Sequence, residues 1–425
     1  MNNPNLPTAI VLNLFYTGLG IARSLGERGI PVIGLTAQRG IYGNFTRYAR
    51  VLTSPDSREN PEALLAFLLH LARELASRAV IFPTRDDDLV FLDRCRAALE
   101  PHFSIVAPDH AALETCLSKW DTHQAAVRAG IPAPKSWLIE TSESLEQAMR
   151  EARFPCVLKP LSSHHWRQGA NWQIVGARKA IGVRSAAELE AQYDSIARAD
   201  RRAILEEMVP GADDCLVIAA CYIDRRSRWA AAFNTQKLVQ IPEGFGTGCI
   251  VQSVNRPELF PPTARLLETI GFQGIAEVEY KWDAVAGEFK LIEINPRPWD
   301  QHRLGKACGV DLIYLAYCDH AGLGIPPAPD PAPGHKWIAE DTLVTAAVRM
   351  LWNRDARLPE IFRRARGKRL YAVWSWRDPL PLIAYVFTRF LPELTAAVWR
   401  KFRAAAFSPR AEAPLSHQQS RGPVQ

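Results

Sequence analysis

The hydrophobic pattern at the start of the chain alternates between short apolar runs and amphipathic segments. The apolar runs are typical of buried strands and lie at 8–14, 31–35, 79–82 and 103–106. The intervening segments space their apolar residues as helices do, over 18–28, 64–76 and 89–99. Strands that alternate with helices form parallel βαβ units, so we expect a doubly wound α/β domain over residues 1–115.

From residue 116 onward the pattern predicts an α+β arrangement with longer loops. Apolar runs typical of strands lie at 136–139, 156–160, 203–211, 215–223 and 229–234. Helices are predicted over 119–130, 142–152, 186–196 and 262–270. We expect a second domain over 116–325, with a smaller lobe at about 136–210. A proline-rich linker at 324–334 then precedes a basic helical extension over 335–407, and the tail over 408–425 is expected to be disordered.

The segment from Glu279 to Arg297 places carboxylates on two facing apolar runs. Residues 279–283 and 289–297 indicate the two strands of a β-hairpin joined by a polar turn. Glu279, Glu293 and Asn295 can then converge as oxygen ligands, with Arg297 beside them. Mg²⁺ favours such oxygens and usually takes a few of them together with phosphate oxygens. The hairpin therefore indicates phosphate chemistry or, alternatively, a surface turn whose carboxylates are solvated.

Composition and charge narrow the function classes. The 425 residues exceed one typical core, and 48% hydrophobic with 23% charged residues is the composition of a folded protein of two to three domains. Much of the net charge of +6 comes from arginines and lysines between 349 and 403. We interpret that region as a solvated helical surface, with peripheral contact to acidic membrane lipids as the alternative. No aromatic–basic RNA-binding motif is present, so no nucleic-acid partner is expected.

The cysteines and the apolar segments predict a cytoplasmic protein. The eight cysteines show neither a CxxC pair nor zinc spacing and are expected to be reduced thiols. The first residues lack the basic and apolar regions of a secretory signal. The most apolar stretch, 380–399, contains Arg389 and Pro392, so it is predicted to be an interfacial or core helix rather than a membrane span.

Two motifs of the N-terminal domain allow more than one interpretation. Gly18 and Gly20 begin like a dinucleotide-binding fingerprint, but Arg23 stands where the third glycine belongs, which favours a tight βα turn. The run Arg85-Asp-Asp-Asp88 follows a strand end, where α/β sheets place ligands. It could contribute to a substrate crevice, or it could cap the helix that follows.

Four motifs precede the hairpin in a fixed order. They are Lys119 before the glycine–proline turn 130–134, Lys159 in the strand 156–160, Glu206-Glu-Met-Val209-Pro-Gly, and Lys237 followed by the glycine-rich segment 244–248. This order resembles the ATP-grasp superfamily, particularly its carboxylate–amine ligase branch, over about residues 8–323. The resemblance implies an N-terminal doubly wound domain followed by a two-lobed fold that clamps ATP between antiparallel sheets.

The resemblance also implies a role for each motif. The implied cofactor-binding residues are Lys119 and Lys159 for the phosphates, the backbone of Glu206, Glu207 and Val209 for adenine, and Asp213 or Asp214 for the ribose. The implied metal ligands are Glu279, Glu293 and Asn295, and the implied catalytic cations are Lys237 and Arg297. Such an enzyme would use ATP and Mg²⁺, or Mn²⁺, to activate a small-molecule carboxylate as an acyl phosphate and join it to an amine.

Two positions depart from the family pattern. Gln236 stands where an arginine often precedes the lysine, and the segment 162–169 replaces a glycine-dense loop. His164 and His165 in that segment could ligate a metal, although adjacent histidines on a loop are more often solvated; we interpret the segment as a mobile lid.

Two other functions remain open at this point. One is a dinucleotide-dependent oxidoreductase built on the N-terminal domain. The other is a non-catalytic ATP-binding protein, regulatory or membrane-associated, that uses the basic C-terminal region.

Overall fold

A computed structural model of the chain describes residues 6–162, 166, 171–176, 178–241, 244, 246–352, 354–392, 394–396 and 399. Its strands are β1 (Ala9–Leu12), β2 (Val32–Thr36), β3 (Arg50–Thr53), β4 (Ala79–Phe82), β5 (Phe103–Ile105), β6 (Ser136–Ile139), β7 (Cys156–Pro160), β8 (Ile181–Val183), β9 (Ala203–Glu207), β10 (Leu216–Ile223), β11 (Trp229–Ile241), β12 (Thr247–Val254), β13 (Gly274–Asp283), β14 (Glu288–Asn295), β15 (His335–Ile338) and β16 (Lys368–Tyr371).

The α-helices cover the segments between these strands. They are Tyr16–Gly26, Pro61–Glu74, Asp86–Arg94, Arg96–Leu99, His110–Leu117, Lys119–Arg128, Ser142–Glu151, Asn171–Ile174, Ala186–Ile196, Phe260–Thr269, Arg303–Ala307, Leu312–His320, Glu340–Trp352, Leu358–Arg364 and Leu380–Tyr385. A π-helical turn, Val386–Phe390, extends the last of them.

The first five strands form a parallel sheet in the order β3-β2-β1-β4-β5. β1 and β4 consist entirely of buried residues, as expected for central strands of a sheet that is covered on both faces. The predicted doubly wound fold is confirmed. The strand order reverses between β1 and β4, and open α/β sheets bind ligands at the carboxyl ends of such strands. The edge strand β3 is not predicted by the pattern because none of its residues is buried.

The next sheet, β6-β9-β7-β8, is antiparallel and forms a small lobe. The helices Ser142–Glu151 and Ala186–Ile196 contribute Leu145 and Leu189 to a core that belongs to this lobe alone. Because its core is separate, the lobe can form one wall of a cleft without sharing the packing of the central sheet.

A seven-stranded sheet in the order β14-β13-β10-β11-β12-β15-β16 forms the centre of the molecule. The strand β10 is buried at all 8 positions because it separates two hydrophobic cores. Val217 and Ala219 belong to one core, whereas Ile218 and Ala220 belong to the core shared with the N-terminal domain. Side chains alternate along a strand, so residues that pair with Ile218 and Ala220 lie on the side of the N-terminal domain.

The segment after the proline-rich linker differs from the helical extension predicted over 335–407. Besides helices, it contains β15, antiparallel to β12, and β16, parallel to β15, which complete the central sheet. Trp337 and Ile338 are buried in that sheet, whereas Lys368 and Arg369 are exposed on its outer strand. The four residues of β15 include only two apolar ones, a pattern too short to predict a strand. The basic side chains of β16 are of the kind that commonly protects the edge of a sheet.

A buried ion pair joins the N-terminal domain to this C-terminal segment. The Arg23 guanidinium donates to Asp378 Oδ2 at 2.9 Å, and the two side chains are 0% and 1% exposed. Arg23 Nη2 also donates to the Val373 carbonyl at 2.7 Å. The residue at the position of the missing third glycine therefore fixes the packing of two distant parts of the chain.

The two glycines of the same helix permit close packing. A Cβ on Gly18 would lie 1.9 Å from the carbonyl oxygen of Asn13, and one on Gly20 would lie 2.6 Å from His302 Nε2. Gly18 packs against the backbone of the βα turn, as the tight-turn interpretation predicts, whereas Gly20 makes room for the distant His302.

Two further sequence-based expectations can be compared with the structure. All eight cysteines lie in the described part of the chain, and none forms a disulfide. Within the described ranges, we find no helix with both the length and the apolar character needed to cross a membrane.

Candidate active site

A cavity of about 500 Å³ lies between the carboxyl end of β4, the small lobe and the central sheet. It brings together most of the residues that the sequence motifs predict. Ten of them line it: Lys119, Lys159, Glu206, Glu207, Val209, Lys237, Glu279, Glu293, Asn295 and Arg297. Concave sites where polar groups from several elements converge are the usual location of small-molecule binding.

The β13–β14 hairpin supplies the acidic floor of this cavity. Its strands pair Glu279 with Glu293 and Glu277 with Asn295, so all four side chains lie on one face of the sheet. Their strand neighbours Ala220 and Ile218 of β10 place this face on the side of the N-terminal domain. Sequence analysis missed Glu277, although its spacing of two residues from Glu279 was the signal that it shares that face.

Lysines from two other elements contact these carboxylates. Lys237 Nζ, on β11, lies 2.7 and 2.8 Å from the two carboxylate oxygens of Glu279. Lys119 Nζ lies 3.3 Å from Glu293 Oε2. Lys119 begins a helix that is capped by the Ser118 hydroxyl, and its backbone N–H donates to the Leu161 carbonyl at 2.8 Å. The cavity therefore holds alternating positive and negative groups in a largely buried setting.

The carboxylates of the hairpin differ in their titration. Burial and the neighbouring Glu279 hold the pKa of Glu277 well above its ordinary value. Burial also raises the pKa of Glu279, although Lys237 acts against it. Burial would raise the pKa of Glu293 too, but three lysine ammonium groups outweigh it and bring the value to about 2. Negative charge on Glu277 and Glu279 is thus incompletely compensated by the protein, and a nearby cation would stabilise it.

This donor set fits a magnesium ion that is shared with a phosphate ligand. Among the described residues, no group of three or more His, Cys, Asp or Glu side chains is arranged to hold a metal by itself. Mg²⁺ does not require such a cage, because it is usually bound by one or two carboxylates together with phosphate oxygens and water. Glu279, Glu293 and Asn295 offer hard oxygen donors of that kind on one face of the hairpin.

The small lobe forms the opposite wall of the cavity. Val157 of β7 pairs with Glu206 of β9, and the Lys159 ammonium contacts the Glu206 carboxylate. After β9 the chain leaves the sheet, where the backbone N–H of Met208 donates to the Pro155 carbonyl at 3.1 Å. A lysine in an apolar strand, next to a short segment that connects two lobes, matches the arrangement implied by the motif order.

Arg297 lies where the hairpin meets the N-terminal domain. Its Nε donates to Asp86 Oδ1 at 2.6 Å, and Asp86 begins the helix that follows β4. Asp88 of the same run accepts the backbone N–H groups of Thr84 at 3.1 Å and Arg85 at 3.0 Å. Asp88 therefore caps the helix, as one interpretation predicts, and Asp86 lines the cavity, where its contribution to a substrate crevice stays a prediction.

Two relatives of the chain carry the names of ligases. No protein-family model matches the chain. The chain is 22% identical over 267 residues to a D-aspartate ligase of Enterococcus faecium (strain Aus0004), over 59% of this chain and 62% of the relative. It is 26% identical over 217 residues to a D-alanine–D-alanine ligase of Pseudomonas putida (strain GB-1), over 47% of this chain and 62% of the relative. The chain thus spans less than two thirds of the length of both relatives.

The solved structures decide the fold. A biotin carboxylase from Campylobacter jejuni, in its complex with beta-gamma-ATP, matches the chain with a TM-score of 0.61 at 17% identity, over 78% of this chain and 75% of that one. The chain has the ATP-grasp fold.

Asp213 and Asp214 do not line the cavity. Asp213 accepts hydrogen bonds from the Gln240 backbone at 2.9 Å and from the Gln240 amide group at 2.8 Å. Asp214 pairs with Arg364 Nη2 at 3.1 Å. Sequence analysis placed one of them at a ribose, whereas here both carboxylates have protein partners. The ribose contact stays a prediction.

The glycine-rich motif and the segment 162–169 are placed differently relative to the cavity. Thr247 and Gly248, at the start of β12, line the cavity as the glycine-rich motif implies. The prediction of a lid with His164 and His165 falls outside the described residues. Within that segment Trp166 is described, and its side chain is buried in the core of the small lobe.

Proposed function

We propose that this protein is an ATP- and Mg²⁺-dependent ligase that activates a carboxylate as an acyl phosphate and joins it to an amine. One observation carries the proposal: three lysines, the carboxylates of one hairpin and one arginine converge on a single cavity of about 500 Å³ between the two lobes. The names of both curated relatives describe ligases of amino acids, which supports an amino acid as one substrate.

Binding of ATP and Mg²⁺ would require the lysines and carboxylates of the cavity to exchange their ionic partners, and the ion pairs present allow this exchange. Lys119 and Lys237 are paired with Glu293 and Glu279, so neither ammonium group lacks a counter-charge in this low-dielectric site. ATP phosphates would replace the carboxylates as partners of the lysines, and Mg²⁺ would replace the lysines as partner of the carboxylates. Bound in this way, the metal would neutralise charge on the phosphate oxygens.

The residues present can support both halves of the reaction. A carboxylate oxygen of the substrate attacks the γ-phosphorus, the bond to the bridging oxygen breaks, and ADP leaves. The amine, after loss of one proton, attacks the acyl carbon and phosphate leaves. Lys159 and Lys237 would stabilise charge on the transferred group, and Arg297, held by Asp86, would hold the acyl phosphate.

The variant Glu293→Gln tests this function. Phosphate release is first screened with ATP, Mg²⁺ and pools of carboxylates and amines, and the product is identified by mass spectrometry. We expect turnover by the wild type and none by the variant, whose far-UV circular dichroism spectrum should match that of the wild type and show an intact fold. Glu288→Gln, on the same strand but outside the cavity, is the matched control. Turnover retained in Glu293→Gln would overturn the proposal.

We also propose a peripheral contact of the C-terminal segment with anionic membranes. Its last helix exposes Ile383, Phe387 and Leu391 at helical spacing, with Phe387 67% exposed, while Ala384 and Tyr385 on the other face are buried. Exposed arginine at 389 accompanies these apolar side chains. Apolar faces that are flanked by basic residues bind anionic lipid surfaces.

Vesicle sedimentation tests this contact. We expect the protein to sediment with vesicles that contain phosphatidylserine, and Phe387→Ser to weaken this binding several-fold. Val285→Ser, which removes an exposed side chain from the distant hairpin turn, should leave binding unchanged. Equal binding of all three proteins, or no dependence on anionic lipid, would contradict the proposal.

A further inference from the structure

A second cavity, also of about 500 Å³, lies where three distant parts of the chain meet. Its walls come from the N-terminal domain, the central sheet and the C-terminal segment. Its lining includes two tyrosines, two aspartates and two arginines: Tyr16, Tyr42, Asp300, Asp341, Arg349 and Arg389. None of the motifs that resemble the ATP-grasp family contributes to this cavity. The reaction steps described above involve only the first cavity.

Aromatic rings form the walls of this second cavity. Tyr16 and Tyr42 stack with their ring centroids 5.8 Å apart, and Tyr385 meets Tyr42 edge-on at 6.2 Å. Phe15 lies edge-on to Tyr42 at 6.3 Å. Such a set of faces and edges binds an apolar body and also attracts a cation to the faces of the rings.

The charged groups are distributed unevenly along this cavity. Asp341 is 8% exposed and accepts the Tyr16 hydroxyl, and its backbone neighbour Thr342 donates to it at 2.7 Å. Asp300 accepts the Thr17 hydroxyl at 2.9 Å. The two arginines, Arg349 and Arg389, are instead exposed to solvent. The interior is therefore negative and aromatic, and the rim is positive.

Asp300 connects the two cavities. It lines both of them, and it follows Arg297 by three residues in the chain. Burial raises the pKa of Asp300, although Thr17 and Arg297 act against this shift. Burial likewise raises the pKa of Asp341. A positively charged ligand would relieve the cost of keeping both carboxylates ionised in this interior.

We propose that the second cavity binds the amine substrate, and that this substrate is an amino acid or a similar zwitterion whose ammonium group faces Asp300 and Asp341. Its apolar body would lie among the tyrosine rings, and its anionic group would face Arg349 at the rim. This orientation directs the amine towards the cavity that contains Arg297. The inference rests on the ligase function proposed above, and it adds the class of the amine and the site that selects it.

Hydroxylamine separates this inference from the ligase function. This small nucleophile converts an acyl phosphate to a hydroxamate and phosphate, and it does not need a site for a larger amine. Hydroxamate formation therefore measures carboxylate activation alone, whereas product formation with amino acids also measures the amine site. The acceptor is found with pools of L- and D-amino acids and the carboxylate from the screen above.

Asp341→Asn is the main variant. We expect the KM for the amino acid to rise at least tenfold, while hydroxamate formation stays within a factor of two of the wild type. Tyr16→Phe, which keeps the carboxylate and removes its hydrogen-bond donor, should raise the same KM less; it replaces the main variant if Asp341→Asn does not fold. An unchanged KM in Asp341→Asn would overturn the proposal. Loss of hydroxamate formation would also overturn it, because the cavity would then serve the carboxylate.

The rim arginines test the zwitterion. Arg349→Ala should raise the KM for an amino acid, but not the KM for the corresponding amine that lacks the carboxylate. Arg366→Ala removes an exposed arginine of the same segment outside the cavity and should change neither value. An equal effect of Arg349→Ala on both amines would contradict the assignment of the anionic end.

If the wild-type protein forms no hydroxamate with any carboxylate, the proposed ligase function is wrong. The second cavity is then tested by direct binding. Calorimetry with the same amino-acid pools then compares the wild type with Asp341→Asn. Binding that the substitution abolishes keeps the cavity as an amine site. No binding, or equal binding by both proteins, overturns it.

Discussion

Two cavities of similar volume meet at Asp300, yet they are built on different principles. The first is lined by lysine–carboxylate pairs from the central sheet, the small lobe and a helix start, and Asp86 of the N-terminal domain pairs with Arg297 there. The second is lined by aromatic rings with carboxylates inside and arginines at the rim, and its walls come from three distant segments. The lysine–carboxylate pairs of the first cavity thus form within residues 116–325, whereas the second cavity depends on the packing of three distant segments.

Removing a cation from the first cavity should have the largest effect. Lys237→Met leaves Glu279 without its partner and removes a charge next to the transferred group. We expect ADP formation to fall on the order of 10³-fold, about 4 kcal/mol of transition-state stabilisation. Lys290→Met, which breaks the 2.8 Å pair with Asp283 at the far end of the hairpin, should change the rate little.

The substitution Lys237→Met should leave the second cavity unaffected. Calorimetric binding of the amino acid should be equal in Lys237→Met and the wild type. Binding lost together with turnover would mean that the two cavities form one site.

Breaking the packing of the C-terminal segment should act mainly on the second cavity. Arg23→Met leaves Asp378 buried without its cation, and the Thr46 hydroxyl and the Arg47 backbone remain as its donors. Loss of one partner of a buried pair costs about 3 kcal/mol, which we expect in the free energy of unfolding from denaturant titration. Because Asp378 belongs to the segment that carries Asp341, the KM for the amine should rise more than the rate of hydroxamate formation falls. A rise in the KM and a fall in the rate of hydroxamate formation by the same factor would show that both cavities depend on the pair of Arg23 and Asp378.

Glu340, next to Asp341, should make the second region sensitive to pH. Burial raises the pKa of Glu340 to about 7 from an ordinary value of 4.5, although its carboxylate accepts backbone N–H groups of Ala372 and Val373. The folded state therefore holds this proton more tightly than the unfolded state. The free energy of unfolding should fall as the pH rises from about 4.5 to about 7, by about 2–3 kcal/mol.

Glu340→Gln checks this smaller effect. The substitution should flatten that part of the stability profile, measured by denaturant titration at several pH values. Glu258→Gln, at an exposed glutamate of the central domain, should leave the profile unchanged. A profile that is identical in Glu340→Gln and the wild type would assign the pH dependence to other groups.

Prediction from the sequence succeeded where the pattern is local. The hairpin was predicted because its strands are contiguous, and period-two spacing shows that Glu279 and Glu293 can share a face. The same rule could have found Glu277. Prediction was incomplete at β12, since the glycines of 244–248 conceal the start of a strand, and at β15 and β16, since each is only four residues long.

The second cavity could not be predicted by such rules. Tyr16 and Asp341 are separated by 325 residues, and no periodicity relates them. Arg23 shows the same limit in another way. At the sequence level it only weakens a dinucleotide motif, whereas in the fold it joins two segments separated by 355 residues.

The order of the chemical groups can be read directly from the amino-acid sequence. Lysines come first, then a segment that connects two lobes, and then a hairpin of carboxylates that ends in an arginine. Strand periodicity turns that order into shared faces, because neighbouring side chains alternate regardless of the rest of the fold. Packing of the folded chain sets which lysine pairs with which carboxylate. It also forms the second cavity, which shares Asp300 with the first. These features depend on packing between distant segments, where shape and burial act together and leave no repeating signal in the chain.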